Sequence, residues 1–80
     1  MKTVIYSKVA LADLLRLRSR QARLRAKIDR YAQTGAGDVK RLEGSNEKRL
    51  RDGDFRIIFM ETETEILITK IGPRGKVYER

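Results

Sequence analysis

Arg49, Arg51 and Arg56 sit on either side of an Asp52-Gly53 pair. A guanidinium is the side chain best shaped to hold phosphate, because its planar fork meets two oxygens at once and keeps its charge at any physiological pH. Asp-Gly is the sequence signal for a two-residue type I′ hairpin. Such a loop sets Arg51 opposite Asp54, Leu50 opposite Phe55 and Arg49 opposite Arg56, with Arg51 two residues along from Arg49. Like charges directly opposite each other cost stability. That cost is most readily borne where an anion sits between them, so this face is a candidate phosphate site. The plainer alternative is a salted surface in which Glu43, Glu47, Asp52 or Asp54 neutralises the arginines.

The rest of the inventory narrows the chemistry. The 80 residues contain no cysteine and no histidine, which removes thiolate nucleophiles, disulfides, cysteine-based zinc sites and the commonest metal ligand and general base. Catalysis has to run on Arg, Lys, Tyr, Ser, Thr or carboxylates. There is no G-x-x-x-x-G-K-[ST] or G-x-G-x-x-G run, no Ser/His/Asp or Cys/His set can be assembled, and no metal site is expected. Lys+Arg number 19 against 11 Asp+Glu, giving a formal charge of +8. Such an excess points to a polyanionic partner, nucleic acid first. Seven of the cations fall between Arg16 and Arg30, where Asp29 is the only acid. Within that stretch Arg18, Arg20, Arg23 and Lys27, together with Arg51 on the hairpin, are the candidate RNA-binding residues, although the solvated side of an amphipathic helix needs cations as well. No apolar run nears the roughly 18 residues of a membrane span, and MKTVIYSKVA lacks a hydrophobic stretch followed by a small-residue cleavage site. The expectation is a cytoplasmic protein with no membrane partner and no cofactor.

Positioning these residues takes a small fold. Surface scaling lets a chain of this mass bury roughly 63% of what its unfolded form exposes, enough for one core, so residues 1–80 read as a single domain. Val4, Ile5 and Tyr6 make a short β-favouring run, with Ser7 placed to cap a helix. From Lys8 to Gln33 there is no Gly or Pro, and good helix formers dominate. One apolar stripe runs through Val9, Leu11, Leu14, Leu15 and Leu17, and a second through Leu24, Ile28, Tyr31 and Ala32. Arg18-Ser19-Arg20-Gln21 divides them, which suggests two antiparallel helices with Ser19 capping the second. Thr34 to Asp38, with Gly35 and Gly37, reads as a loop. Arg49 to Arg51, Phe55 to Met60 and Ile66 to Ile71 read as three strands in a meander. The hairpin register gathers Leu50, Phe55, Ile57 and Phe59 on a face suited to the helices and leaves Glu47, Arg49, Arg51, Arg56 and Ile58 on the other. The register across Glu61 to Glu65 stays open. Gly72-Pro73 ends the last strand, before a tail from Arg74 to Arg80 that is able to fold back along the sheet. The class is α+β, in the order β-α-α-β-β-β, with two N-terminal helices packed on one face of a small antiparallel sheet.

This arrangement resembles the RelE/ParE superfamily of toxins from bacterial and archaeal toxin-antitoxin pairs. The resemblance covers essentially the whole chain, and its most specific parts are R-L-R-x-G-D-F-R-I-I-F at Arg49 to Phe59 and I-G-x-R-x-x-V-Y at Ile71 to Tyr78. The RelE-like branch cleaves messenger RNA in the ribosomal A site, whereas the ParE-like branch poisons DNA gyrase. The Arg and Tyr near the C-terminus make this chain similar to the RelE-like branch. The family's basic position before the hairpin then falls on Arg49, its hairpin arginine on Arg56, the arginine after the last strand on Arg74 and the terminal tyrosine on Tyr78. Glu47 occupies a position where some members have lysine. Other branches use a nearby glutamate as base, and the histidine paired with it there has no counterpart here.

The activity implied is cleavage by the RNA's own 2′-hydroxyl attacking the adjacent phosphorus in line, which leaves a 2′,3′-cyclic phosphate and a free 5′-hydroxyl. The site has to orient the nucleotide, help remove the 2′ proton, spread the phosphorane charge and protonate the leaving oxygen. On the resemblance, Arg49 and Arg56 clamp the phosphate, Arg74 stabilises or protonates the leaving side, Tyr78 orients or stacks on a base, and Glu47 is the candidate base. Without histidine such a site is slow alone, which fits dependence on a ribosome that presents the message. The implied partners are the ribosome with its messenger RNA and a cognate antitoxin. Two other readings remain open: a ParE-like gyrase inhibitor, and a basic RNA-binding module without catalysis.

Overall fold

The computed structural model describes residues 1–77; Tyr78 lies outside the described residues. The chain runs β1 (Thr3–Tyr6), α1 (Lys8–Arg16), a 3₁₀ turn (Arg18–Arg20), α2 (Gln21–Thr34), β2 (Asp38–Arg41), β3 (Lys48–Asp52), β4 (Phe55–Glu61) and β5 (Glu65–Pro73). Ser7 caps α1 as its sequence position suggests, its Oγ accepting from the Ala10 N–H at 3.0 Å. Ser19 does not cap α2. It lies inside the 3₁₀ turn, and α2 starts after Arg20 with no side-chain cap. Gly35 ends α2 in the left-handed conformation at φ 75°, where a residue without Cβ is unstrained.

The sheet has five strands in the order β1-β5-β4-β3-β2. It is mixed, not antiparallel, because β1 runs parallel to β5, and the expected four strands gain a fifth, β2, which begins at the last residue of the expected Thr34 to Asp38 loop and runs into the stretch before Arg49 that carries no strand signal. β2 is short and carries one apolar residue, Val39, so it leaves little trace in composition. The β3–β4 hairpin closes one residue further on than the Asp-Gly signal implies. Asp52 pairs with Phe55, and Gly53 takes the first central position at φ 59° while no non-glycine has positive φ among the described residues, which is the pattern of a type II′ turn. Arg51 therefore faces Arg56, Leu50 faces Ile57, and Arg49 faces Ile58. The slip is by two in pairing, so the two sheet faces keep the residues assigned to them.

Leu50, Ile57, Phe59, Ile66, Ile68 and Ile71 pack beneath Ala10 and Leu14 of α1 and Leu24, Ile28 and Ala32 of α2. Full burial of each large apolar side chain stabilises the fold by about 1.5–3 kcal/mol. The second helical stripe is buried as expected, but in the first only Leu14, and partly Leu17, face inward; Val9, Leu11 and Leu15 are exposed. Asp13 takes an inward place instead. β1 pairs with β5 only along Glu65 to Ile68, so the same edge of β5 is left without a strand from Thr69 onward. α1 lies along that edge and satisfies it with side chains. The Ser7 hydroxyl donates to the Thr69 carbonyl at 3.2 Å, and Asp13 Oδ2 accepts from the Ile71 N–H at 3.0 Å while Oδ1 takes an ion pair from Arg16. Beyond Pro73 the chain turns, with the N–H groups of Lys76 and Val77 both donating to the Pro73 carbonyl, and the buried Val77 comes to rest over Gly72. As far as Val77 the tail does fold back on the sheet.

Candidate active site

The helices occupy one face of the sheet, and the arginines singled out in the sequence occupy the other. Strand alternation places Asp38 and Lys40 of β2, Arg49 and Arg51 of β3, Arg56 and Ile58 of β4, and Lys70 and Gly72 of β5 on this face. Two like-charged pairs stand directly opposite each other, Lys40 with Arg49 and Arg51 with Arg56. Such pairs are tolerated only with compensation. Part of it comes from Asp38, whose carboxylate lies 4.0 Å from Arg49 and 3.8 Å from Arg51. Both distances are beyond hydrogen-bond length, and Arg51 and Asp38 are more than half exposed, so the neutralisation is weak. None of the acids proposed from sequence as counter-ions has this role.

The arginines are presented differently. Arg51 and Arg74 are exposed and Arg49 is largely covered, whereas Arg56 is buried. A buried cation needs donors matched to acceptors, and Arg56 finds them in its own hairpin: one terminal nitrogen donates to the Gly53 carbonyl at 2.7 Å and to the Phe55 carbonyl at 2.9 Å. The other terminal nitrogen and Nε carry the remaining three of the group's five N–H donors. Val77 above Gly72, the cross-strand neighbour of Arg56, helps to cover it. Arg74 is joined to the same turn, its backbone N–H donating to the Asp54 carbonyl at 2.8 Å. Hence the hairpin tip organises two of the candidate residues at once.

Glu47 sits just before β3, and its Oε2 accepts from the Thr69 hydroxyl at 3.1 Å. Thr69 is the extra residue of an irregularity where β4 and β5 shift register between Ile58 and Phe59, and its hydroxyl also donates to the Ile58 carbonyl. Glu47 is thus held on the arginine face near Ile58. The helical cations lie elsewhere. Arg23 pairs with Asp52 at 3.2 Å and the Arg20 guanidinium lies 4.7 Å above the Phe55 ring, both on the helix side of the sheet, while Arg18 belongs to the 3₁₀ turn and Lys27 to α2. Sequence reasoning missed Asp38 and Lys40; their signal is the out-in-out alternation of Asp38-Val39-Lys40.

The structure is similar to several solved proteins. It superimposes on the archaeal RelE of the RelE-RelB complex from Pyrococcus horikoshii OT3 with a TM-score of 0.76, at 27% identity over 94% of this chain and 97% of that one. The RelB-RelE antitoxin-toxin complex from Methanococcus jannaschii matches with a TM-score of 0.70 at 20% identity, over 92% and 94% of the two chains. The chain belongs to the RelE-like toxin superfamily. YafQ of the E. coli DinJ-YafQ toxin-antitoxin complex shares the fold of this RelE-like chain with a TM-score of 0.80 at 13% identity, covering 98% of each. No model of a known protein family matches the chain, and no curated protein matches it by sequence. Within the RelE-like fold the arginine face is the sheet surface opposite the helices, with Arg74 at the end of β5.

Proposed function

We propose that this chain is the toxin of a type II toxin-antitoxin pair, a ribosome-dependent endonuclease that cleaves messenger RNA and so stops translation. The observation that carries this reading is the gathering of Arg49, Arg51 and Arg56 on one sheet face, with Arg74 tied to the same hairpin. A phosphate entering there meets Arg49 and Arg56 from the strands, Arg51 from the rim and Arg74 from the turn after β5. Four guanidinium groups suit a pentavalent phosphorane, whose charge grows on the oxygens during attack. Arg56, held by two carbonyls, needs no reorganisation to supply its field at that moment. Glu47, which Thr69 holds beside Ile58 of this face, takes the 2′ proton in this reading; Tyr78 orients a base. The message is held for in-line attack by the ribosome, which supplies positioning that a face this open does not.

The solved relatives are recorded in complexes with antitoxins, which supports a cognate antitoxin as partner. An acidic segment is the complementary chemistry for a chain of charge +8. The test is controlled expression in bacteria, with message ends mapped by primer extension and plasmid supercoiling followed in parallel. The reading predicts growth arrest with new breaks in translated messages, and loss of both in Arg74→Ala, whose exposed side chain is not needed for folding. Normal messages with cleaved DNA complexes would instead identify a gyrase inhibitor, and harmless expression a binding module.

A further inference from the structure

We infer that Arg20 and Arg23 are positioning residues which grip the β3–β4 hairpin from the helix side and so fix the guanidinium of Arg56 and the backbone of Arg74 on the opposite side. The inference rests on the arginine-face reading given above. Its basis is a chain of contacts through one turn. Asp52 and Phe55 are the last cross-strand pair before the loop. Asp52 is buried and takes an ion pair from Arg23 at 3.2 Å; Phe55 is half-buried and lies 4.7 Å beneath the Arg20 guanidinium. Each strand of the hairpin end is therefore held by one cation from the corner where the 3₁₀ turn meets α2. The groups immediately beyond and beside this pair are the ones that hold the candidate site. The Gly53 and Phe55 carbonyls anchor Arg56, and the Asp54 carbonyl anchors the Arg74 N–H.

A two-residue turn with a glycine at its first position is otherwise free to rock about the sheet, since no side chain of Gly53 braces it. Rocking moves three carbonyls together, and with them both arginines. Geometry at a reacting centre is unforgiving, and a misplacement of about 1 Å costs on the order of 10²-fold in rate. A buried carboxylate facing the helices is costly unless a cation meets it there, and Arg23 does so from a side chain that is itself 68% exposed. This exposure means that Arg23 can be changed without opening the core.

The experiment uses the full chain, as wild type, as Arg20→Ala/Arg23→Ala, as the milder Arg23→Gln, and as Lys8→Ala/Arg30→Ala, which removes the same charge from exposed helical positions that do not touch the hairpin. Two readouts are taken. The first is the ¹⁵N-detected NMR signal of the Arg56 guanidinium, assigned by its loss in Arg56→Lys; the second is the cleavage rate of ribosome-bound message at saturating protein. The inference predicts sharp, solvent-protected Arg56 signals in wild type and Lys8→Ala/Arg30→Ala. In Arg20→Ala/Arg23→Ala those signals broaden toward exchange with water and the maximal rate falls roughly 10- to 100-fold, with Arg23→Gln changing both in the same direction by less. Unchanged Arg56 signals in the double variant overturn the inference, and so does a changed signal with an unchanged rate. An equal loss of rate in Lys8→Ala/Arg30→Ala overturns it in favour of general charge. If the Arg56 signals respond as predicted but wild type itself cleaves nothing, the positioning of Arg56 stands and the endonuclease reading fails.

Discussion

Replacing Asp13 by alanine tests how the end of β5, and with it Arg74, is held in place. The Asp13 carboxylate is buried and substitutes for a missing strand, accepting the Ile71 N–H at 3.0 Å on the open edge of β5. Alanine leaves that amide facing α1 with no acceptor. A hydrogen bond to a charged group contributes about 1.5–3 kcal/mol, and a buried donor left unmade costs about 1–3 kcal/mol, so the two views of one loss converge on roughly 2–3 kcal/mol. An 80-residue domain has a total stability of roughly 4–12 kcal/mol at the usual per-residue values, so this is a large fraction. In urea, where the slope for small proteins is about 1–3 kcal/mol/M, the midpoint falls by about 1–2 M. Asp13→Asn keeps an amide oxygen for Ile71 and loses only the charge and the Arg16 pair, so its expected cost is about 1 kcal/mol. Equilibrium unfolding gives both values, and amide exchange at Ile71 reports the same bond directly, accelerating in Asp13→Ala. A cost below about 0.5 kcal/mol for Asp13→Ala, or an equal cost for Asn and Ala, refutes the edge-capping role.

Three further outcomes follow from the geometry. Burial pushes the Glu61 carboxyl up, but hydrogen bonds from Lys2, Tyr31 and Lys48 outweigh it and bring it down to about 2 from 4.5. A carboxylate depressed in the folded state contributes stability above its unfolded value, so at most about 3 kcal/mol should be lost as pH falls from about 4.5 to 2, and acid titration of Glu61→Gln should lack this slope. Burial, then the bond to Glu61, pushes the Tyr31 phenol up to about 12 from 10.0. The folded state therefore loses stability as pH rises from about 10 toward 12, and thermal melts of Tyr31→Phe should be flatter across that window. Finally, Gly37→Ala combines a left-handed backbone at φ 153° with a Cβ 2.8 Å from the buried Leu50 Cδ1. It should destabilise by about 1–3 kcal/mol in urea melts, whereas Gly72→Ala, whose Cβ meets Val77 at an ordinary 3.7 Å, should be nearly neutral.

Local chemistry was the most legible part of the sequence. Ser7 could be read as a cap because an N-cap depends only on the next three residues, and the buried stripe of α2 followed from its three-and-four spacing. The segregation of Leu50, Ile57 and Phe59 from Arg49, Arg51 and Arg56 also held, since alternation fixes the face of each residue even when the pairing slips by two. The slip itself was out of reach. Asp-Gly signals a hairpin, but which loop position takes the positive φ is settled by the packing of Phe55 and Asp52 against the helical corner. The parallel pairing of β1 with β5 depends on residues about 60 positions apart, beyond any local signal. Leu11 and Leu15 misled because hydrophobicity shows preference for an interior without showing which side of α1 meets the sheet, and Asp13 was passed over because a buried acid looks like an error until its backbone partner is seen.

The most direct measurement adds purified protein to ribosomes stalled on a defined message and analyses the ends of the RNA. The account predicts a single cut in the ribosome-bound codon, with a 2′,3′-cyclic phosphate upstream and a 5′-hydroxyl downstream. The cut should be absent when ribosomes are omitted and lost in Arg74→Ala at unchanged melting temperature. An intact message under these conditions, or a cut that persists unchanged in Arg74→Ala, contradicts it.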